Sequence, residues 1–202
     1  MKKVKDHYFH RAKKDKYPAR SVYKLEEAQK KYGFLKKGTR ILDLGCYPGS
    51  WSIYASEVAG PQGKVIGVDL RKSKVRGPEA GAPVEFLQFD IFSDEFLERV
   101  RKEGPFYGIL SDMSPKTTGS KFADHVRSVE LAERALEIAG QVLVKDGVFY
   151  CKLFQGEDFQ PFVNKLKDMF RKVKIVKPSS SRGESREVFT LGTGYIMKDM
   201  ED

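Results

Sequence analysis

The sequence is poor in the residues from which small stapled or metal-built proteins are made. Two cysteines, Cys46 and Cys151, are too few for a disulfide framework, and both fall at the ends of strand-like segments, so free thiols are expected. Its three histidines, His7, His10 and His125, have no clustered Cys or His partner at ligand spacing, so no metal site is expected. Nowhere does an apolar run approach the ~18 residues that a spanning helix needs, and the basic N-terminus lacks the apolar segment of a secretory signal. A cytoplasmic protein without membrane attachment, monomeric, is the expectation. What is present is 202 residues, 40% of them hydrophobic, enough for one domain with a proper core.

Charge is uneven along the chain. Of the net +9, residues 1–20 carry eight Lys or Arg against Asp6 and Asp15, leaving +6 at one end. Tyr8, Phe9 and Tyr17 are interleaved with these cations, a mixture suited to a phosphate backbone and exposed bases, whereas a solvated tail is the competing reading. Residues 1–20 are therefore read as a basic N-terminal arm ahead of a single domain over 21–202, with Lys13, Lys14 and Arg20 as nucleic-acid-binding candidates. A second basic group, Lys172, Lys174, Lys177, Arg182 and Arg186, falls late in the sequence. Of these, Arg182 and Arg186 are further nucleic-acid-binding candidates, and the spacing allows the two segments to close on one face.

Hydrophobic periodicity predicts strands at 40–44, 64–70, 84–89, 107–112, 147–154, 173–176 and 187–197. Helices are predicted at 20–31, 50–58, 94–102, 124–143 and 158–170. Alternation of this kind means a mostly parallel sheet with helices on both faces, and the last two strands, joined by a loop alone, should be antiparallel neighbours.

In such a sheet, ligands bind beyond the carboxyl ends of the strands, which directs attention to Leu42-Asp-Leu-Gly-Cys-Tyr-Pro-Gly-Ser-Trp51. A dinucleotide site needs glycine two positions after the first loop glycine, and here that position is Tyr47, which disfavours a pyrophosphate and with it a nucleotide-dependent oxidoreductase. Gly45 and Gly49 permit close backbone approach, Pro48 stiffens the turn, and Asp43 suits either fixing the loop or receiving a ligand ammonium group. Trp51 is equally suited to core packing and to cofactor contact. Asp69 ends the second strand, placed to accept two ribose hydroxyls. Asp90 and Ile91 end the third, placed to hold an adenine amino group and cover its ring. A nucleoside cofactor without phosphates fits this edge, and S-adenosylmethionine is such a cofactor. The fourth strand ends Leu110-Ser-Asp-Met-Ser-Pro115, without the aromatic that stacks on planar nitrogen acceptors, so an alcohol acceptor is favoured. An alkyl hydroxyl needs help in losing its proton. Lys152, inside the otherwise apolar run 147–154 and expected beside Asp112, is the candidate for that task, although a lysine bending its stem to solvent is the ordinary alternative.

Five ordered segments carry a family resemblance: Tyr17-Pro-Ala-Arg-Ser-Val-Tyr-Lys-Leu25, the loop 42–51, Ser-Asp-Met-Ser-Pro at 111–115, Lys-Leu-Phe-Gln-Gly at 152–156 and Ser-Arg-Glu-Val-Phe at 185–189. The chain resembles the FtsJ/RrmJ family of ribose 2′-O-methyltransferases over almost its whole length. The resemblance implies a Rossmann-like class I methyltransferase fold, an α/β architecture with a mostly parallel seven-stranded sheet and an antiparallel last strand. It further implies a catalytic tetrad of Lys24, Asp112, Lys152 and Glu187, with Lys152 as proton acceptor, and cofactor contacts at Gly49, Trp51, Asp69, Asp90 and Asp112. The implied substrate is a uridine of 23S rRNA in the large ribosomal subunit. Departures are Cys46-Tyr47 in place of small residues and a longer segment over 71–82. A free lysine, with a pKa of about 10.4, is neutral in fewer than about one molecule in a thousand at pH 7. Lys152 therefore acts either as a neutral base or as a cation that steadies the developing alkoxide. Methylation of tRNA or a cap ribose, or a noncatalytic RNA-binding role in ribosome assembly, are the other readings; the intact tetrad speaks against the last.

Overall fold

The computed structural model describes the backbone of residues 2–116, 118–181 and 185–197, and their side chains from His7 onward. Its elements are α1 (Lys2–Lys14), α2 (Val22–Tyr32), β1 (Arg40–Leu44), α3 (Ser50–Ala59), β2 (Lys64–Asp69), β3 (Val84–Gln88), α4 (Asp94–Glu103), β4 (Phe106–Ser111), α5 (Lys121–Val142), β5 (Leu143–Phe154), α6 (Phe159–Met169), β6 (Phe170–Val176) and β7 (Glu187–Tyr195). The strands form one seven-stranded sheet in the order β3-β2-β1-β4-β5-β7-β6. Strands β3, β2, β1, β4 and β5 are parallel, and β7 runs antiparallel to both β5 and β6. The expected α/β architecture is thus observed, and the winding reverses between β1 and β4, where such sheets open a ligand crevice.

Two apolar layers sandwich the sheet, and the alternation of side chains along β5 shows which layer each residue joins. Phe149, Cys151 and Leu153 pack with Phe96, Leu136 and Phe162 of α4, α5 and α6. Val148 and Tyr150 pack on the other side with Leu25 of α2, Trp51 and Ala55 of α3, and Phe189. Lys152 shares the parity of Tyr150, so its ammonium group is carried toward α2. Cys46 and Cys151 are both buried and free.

The predicted boundaries shift where local chemistry is ambiguous. Strand β5 begins at Leu143, not at 147: Leu143 pairs with Phe106 and pairing resumes at Val148 opposite Gly108, so Lys145-Asp-Gly147, with Asp146 at φ 64°, is an irregularity inside the strand and not its boundary. Helix α5 starts at Lys121, three residues before the predicted position, capped by the Ser120 hydroxyl, which accepts the Ala123 N–H at 3.4 Å.

The N-terminal segment is helical over Lys2–Lys14 and docks on α2. Ala12 is buried, Arg11 donates to Glu26 at 3.1 Å and lies 4.3 Å over the Tyr23 ring, and Tyr8 packs against Tyr23 at 5.4 Å. Tyr17 donates its hydroxyl to Glu57 at 2.5 Å; burial and that carboxylate push the phenol well above its usual range. Two of the three rings expected among the basic residues therefore hold the segment to the domain. No described helix is long and apolar enough to cross a membrane.

Candidate active site

The adjacent carboxyl ends of β4 and β5 set the centre. Ser111 lies opposite Cys151, so the next residues, Asp112 and Lys152, stand side by side. Lys152 Nζ is 2.9 Å from Asp112 Oδ1 and donates to the Asp112 backbone carbonyl at 2.7 Å. From α2, Lys24 Nζ donates to Glu187 Oε2 at 2.9 Å and lies 3.6 Å from Asp112 Oδ1. Glu187 opens β7, opposite Phe154. The four charges alternate in sign as Glu187, Lys24, Asp112, Lys152, and their side chains are only 5–17% exposed. Such charges are tolerable out of water because each meets an opposite one. Asp112 Oδ1, in ion-pair range of both lysines, accepts no aligned hydrogen bond from either.

Aromatic packing fixes the lysine that comes from the distant helix. Trp51 stacks on Tyr150 at 5.6 Å, and Tyr150 on Phe189 at 5.0 Å, both near-parallel at 17°. The Trp51 indole N–H donates to the Ser21 carbonyl at 2.8 Å, the Tyr150 hydroxyl donates to the Lys24 carbonyl at 3.3 Å, and Lys24 Nζ lies 5.6 Å from the Phe189 ring. Trp51 thus holds the start of α2, and through it the position of Lys24.

Beside the tetrad a cleft of about 710 Å³ runs along the strand ends, within the ~300–1,000 Å³ range of small-molecule sites. Five of the predicted cofactor residues line it: Gly45, Asp69, Asp90, Ile91 and Asp112. Asp69 accepts the Tyr47 N–H at 3.1 Å and the Arg71 N–H at 2.9 Å, and Asp90 accepts the Phe92 N–H at 3.0 Å. Gly45 has φ +75°, and a Cβ there would meet Met113 Cγ at 2.4 Å, so only glycine lets the β1 and β4 loops close on one another.

The other four sit behind the loop, outside the cleft's lining. Pro48 accepts the Ser73 hydroxyl at 2.8 Å. Gly49, at φ +116°, admits Val75, whose Cγ2 would lie 2.5 Å from an added Cβ. Trp51 is buried as described. Asp43 is buried and accepts the Ser52 hydroxyl at 2.6 Å, which makes it a loop-fixing residue. Burial first, then the Asp112 and Asp69 carboxylates, push its carboxyl up to about 7, against the lowering effect of the Ser52 hydrogen bond.

Tyr47, which the sequence marks only as a departure from a dinucleotide loop, also lines the cleft, as do Arg71, Phe89, Phe92 and Leu131, which the sequence pattern does not assign to it. The Arg71 guanidinium lies 3.9 Å over the Tyr47 ring, a pairing between a loop and a strand end that no local pattern announces. Leu131 lies on α5, where it reads as ordinary core.

The RNA-binding candidates fall on separate segments of the chain. Lys13 and Lys14 are exposed, with Lys13 Nζ 4.8 Å from the Phe9 ring. Arg20 donates to the Ser180 carbonyl at 2.7 Å, so the N-terminal segment and the late loop do meet. Arg186 is exposed and donates to the Gln155 carbonyl at 2.6 Å, while Arg182 lies outside the described residues. Among the described residues, no group of His, Cys, Asp and Glu is arranged to hold a metal ion.

Comparison with known proteins gives the same outline. Residues 17–195 match the family described as FtsJ-like methyltransferase. The chain is 53% identical over 196 residues to the ribosomal RNA large subunit methyltransferase E of Desulfotalea psychrophila, covering 96% of this chain and 98% of that one. It is 47% identical to the protein of the same name from Oleidesulfovibrio alaskensis, covering 96% and 94%. Among solved structures, a ribosomal RNA methyltransferase from Plasmodium falciparum superposes with a TM-score of 0.73 at 30% identity, covering 89% of this chain and 98% of that one. Fibrillarin of Aeropyrum pernix, solved with S-adenosyl-L-methionine bound, shares the fold at a TM-score of 0.60 and 17% identity, covering 86% and 76%.

Proposed function

Because the chain belongs to the FtsJ-like methyltransferase family, we propose that it transfers a methyl group from S-adenosylmethionine to a ribose 2′-hydroxyl of RNA, a uridine of 23S rRNA in the large ribosomal subunit. The observation that carries this reading is the alternating tetrad of Glu187, Lys24, Asp112 and Lys152 at the end of the cleft.

The cleft residues suit the cofactor. Asp69 offers carboxylate oxygens for ribose hydroxyls, Asp90 an acceptor for an exocyclic amine, and Ile91 and Phe92 an apolar wall for a ring. When bound, S-adenosylmethionine supplies an electrophilic methyl group on a positively charged sulfur. The protein's own task is the acceptor proton, which must leave the 2′-oxygen as that oxygen forms its bond to the methyl carbon. Lys152, as the neutral amine, takes this proton on its lone pair and becomes an ammonium. Asp112, in contact with it at 2.9 Å, orients the amine and stabilises the ammonium that forms, and the Lys24–Glu187 pair holds the acceptor side of the site. On this reading the chain acts in the cytoplasm as a monomer, with one domain over 21–202 and a basic segment ahead of it.

The test is to map 2′-O-methylation on rRNA and tRNA of cells with and without the protein, and to follow single-turnover transfer by wild type and Lys152→Ala. Loss of one rRNA methyl group in the deleted strain is expected. The variant should be slower by at least about 100-fold, the usual scale of a general base, while still binding cofactor. A missing tRNA methyl group instead, or an active Lys152→Ala, would refute the corresponding part.

A further inference from the structure

A second hollow, of about 400 Å³, opens between the start of α5 and the ends of β5 and β7, lined by Lys121, Phe122, His125, Gly156, Glu157 and Arg186. The tetrad is close by along the chain: Arg186 immediately precedes Glu187, and Phe154 follows Lys152 by two residues, about 7 Å at the rise of a strand. His125 is 3% exposed; its Nδ1 lies 3.0 Å from the Phe154 carbonyl and its Nε2 accepts the Asp158 N–H at 3.2 Å, so both ring nitrogens are occupied. Gly156 lies flat on that ring, for a Cβ there would stand 2.5 Å from it. The hollow therefore has a firm inner wall.

Its rim is of a different kind. Phe122 is 71% exposed, among the most exposed of the large apolar side chains described. Arg186 stands on the opposite chain segment, its guanidinium propped by the Gln155 carbonyl at 2.6 Å and the Lys121 carbonyl at 3.4 Å. A lone surface phenylalanine needs no explanation. A bare ring beside a concavity, with an arginine and a lysine on the rim, has the parts that hold a single-stranded base: a stacking surface and cations for the backbone. Glu157 on the same rim disfavours a phosphate inside the hollow and suits the amino or imino edge of a base.

We propose that this hollow receives the base of a nucleotide adjoining the methylated one, stacked on Phe122 with its phosphate on Lys121 and Arg186. The proposal rests on the RNA methyl transfer inferred above and names part of its RNA subsite. It makes Phe122 a positioning residue for RNA with no contact to the methyl donor.

The experiment compares wild type, Phe122→Ala and Phe122→Trp for KM toward large ribosomal subunits lacking this methyl group and for Kd of S-adenosylmethionine. Stacking on one ring sets the scale of the effect: Phe122→Ala should raise KM for RNA about tenfold. It should leave the cofactor Kd unchanged, and Phe122→Trp should restore KM. An unchanged KM in Phe122→Ala, or a Phe122→Trp variant as impaired as Phe122→Ala, overturns the proposal. If wild type itself transfers no methyl group to RNA, the function proposed above fails, and filter binding of the same subunits to the three chains then decides the role of Phe122 alone.

Discussion

Replacing Asp43 by asparagine should remove one pH-dependent contribution to stability, the one that burial of this carboxyl creates. Asp43 is 1% exposed, its carboxyl is raised from 3.8 to about 7, and it accepts the Ser52 hydroxyl at 2.6 Å as well as a backbone hydrogen bond from Ser52. The folded protein thus binds a proton that the unfolded chain has released between these two values. The Asp43 contribution is whole below about pH 4, shrinks as pH rises, and is gone above about pH 7. A gap of about 3 pH units is worth about 4 kcal/mol, and the part falling between pH 5 and 8 about 3 kcal/mol. Asparagine keeps the shape and an oxygen for Ser52 without carrying charge. Urea unfolding of wild type and Asp43→Asn at pH 5, 6, 7 and 8 measures the difference directly. The variant should gain on wild type by about 3 kcal/mol across this range, with equal m-values. A stability difference that does not change with pH would refute the reasoning, because it would mean that Asp43 is charged in the fold at no cost.

Two further substitutions probe the loops and the aromatic stack. Gly45→Ala puts a Cβ 2.4 Å from Met113 Cγ at φ +75°, and S-adenosylmethionine should bind at least about tenfold more weakly by calorimetry. Gly33→Ala, where nothing lies within 4 Å, is the control and should leave that affinity alone despite its own φ of +58°. Trp51→Phe keeps a ring on Tyr150 but leaves the Ser21 carbonyl without its indole donor, a loss of about 1–2 kcal/mol in unfolding free energy. If Trp51 acts through α2, single-turnover methyl transfer should slow while cofactor affinity stays; the reverse pattern would make the indole a cofactor contact after all.

The sequence made the sheet legible because its strands are short apolar runs between helices of clear period, and the strand-end carboxylates at 69, 90 and 112 are visible as punctuation. Lys152 was legible for the opposite reason, as a charge where the pattern calls for an apolar side chain. Other features lay beyond local pattern. Lys145-Asp-Gly147 has the chemistry of a turn, and it falls inside a strand because Leu143 before it and Val148 after it both pair with β4. Trp51, in the first turn of α3, faces cleft or core according to where α2 lies, which is a long-range fact. Phe122 sits in a polar run ahead of the periodic part of α5, and its exposure becomes meaningful only once Gly156 and Arg186 arrive from the far ends of two strands.

Strand β7, the last strand described, lies between β5 and β6 and is what joins β6 to the rest of the sheet. Glu187 is its first residue, 163 positions from the Lys24 it meets. Without that strand, Lys24 lacks its nearest carboxylate and the charge pattern is unfinished. A half-made or locally unfolded chain therefore has a donor cleft but no complete acceptor site, and methyl transfer becomes a report that the sheet is whole.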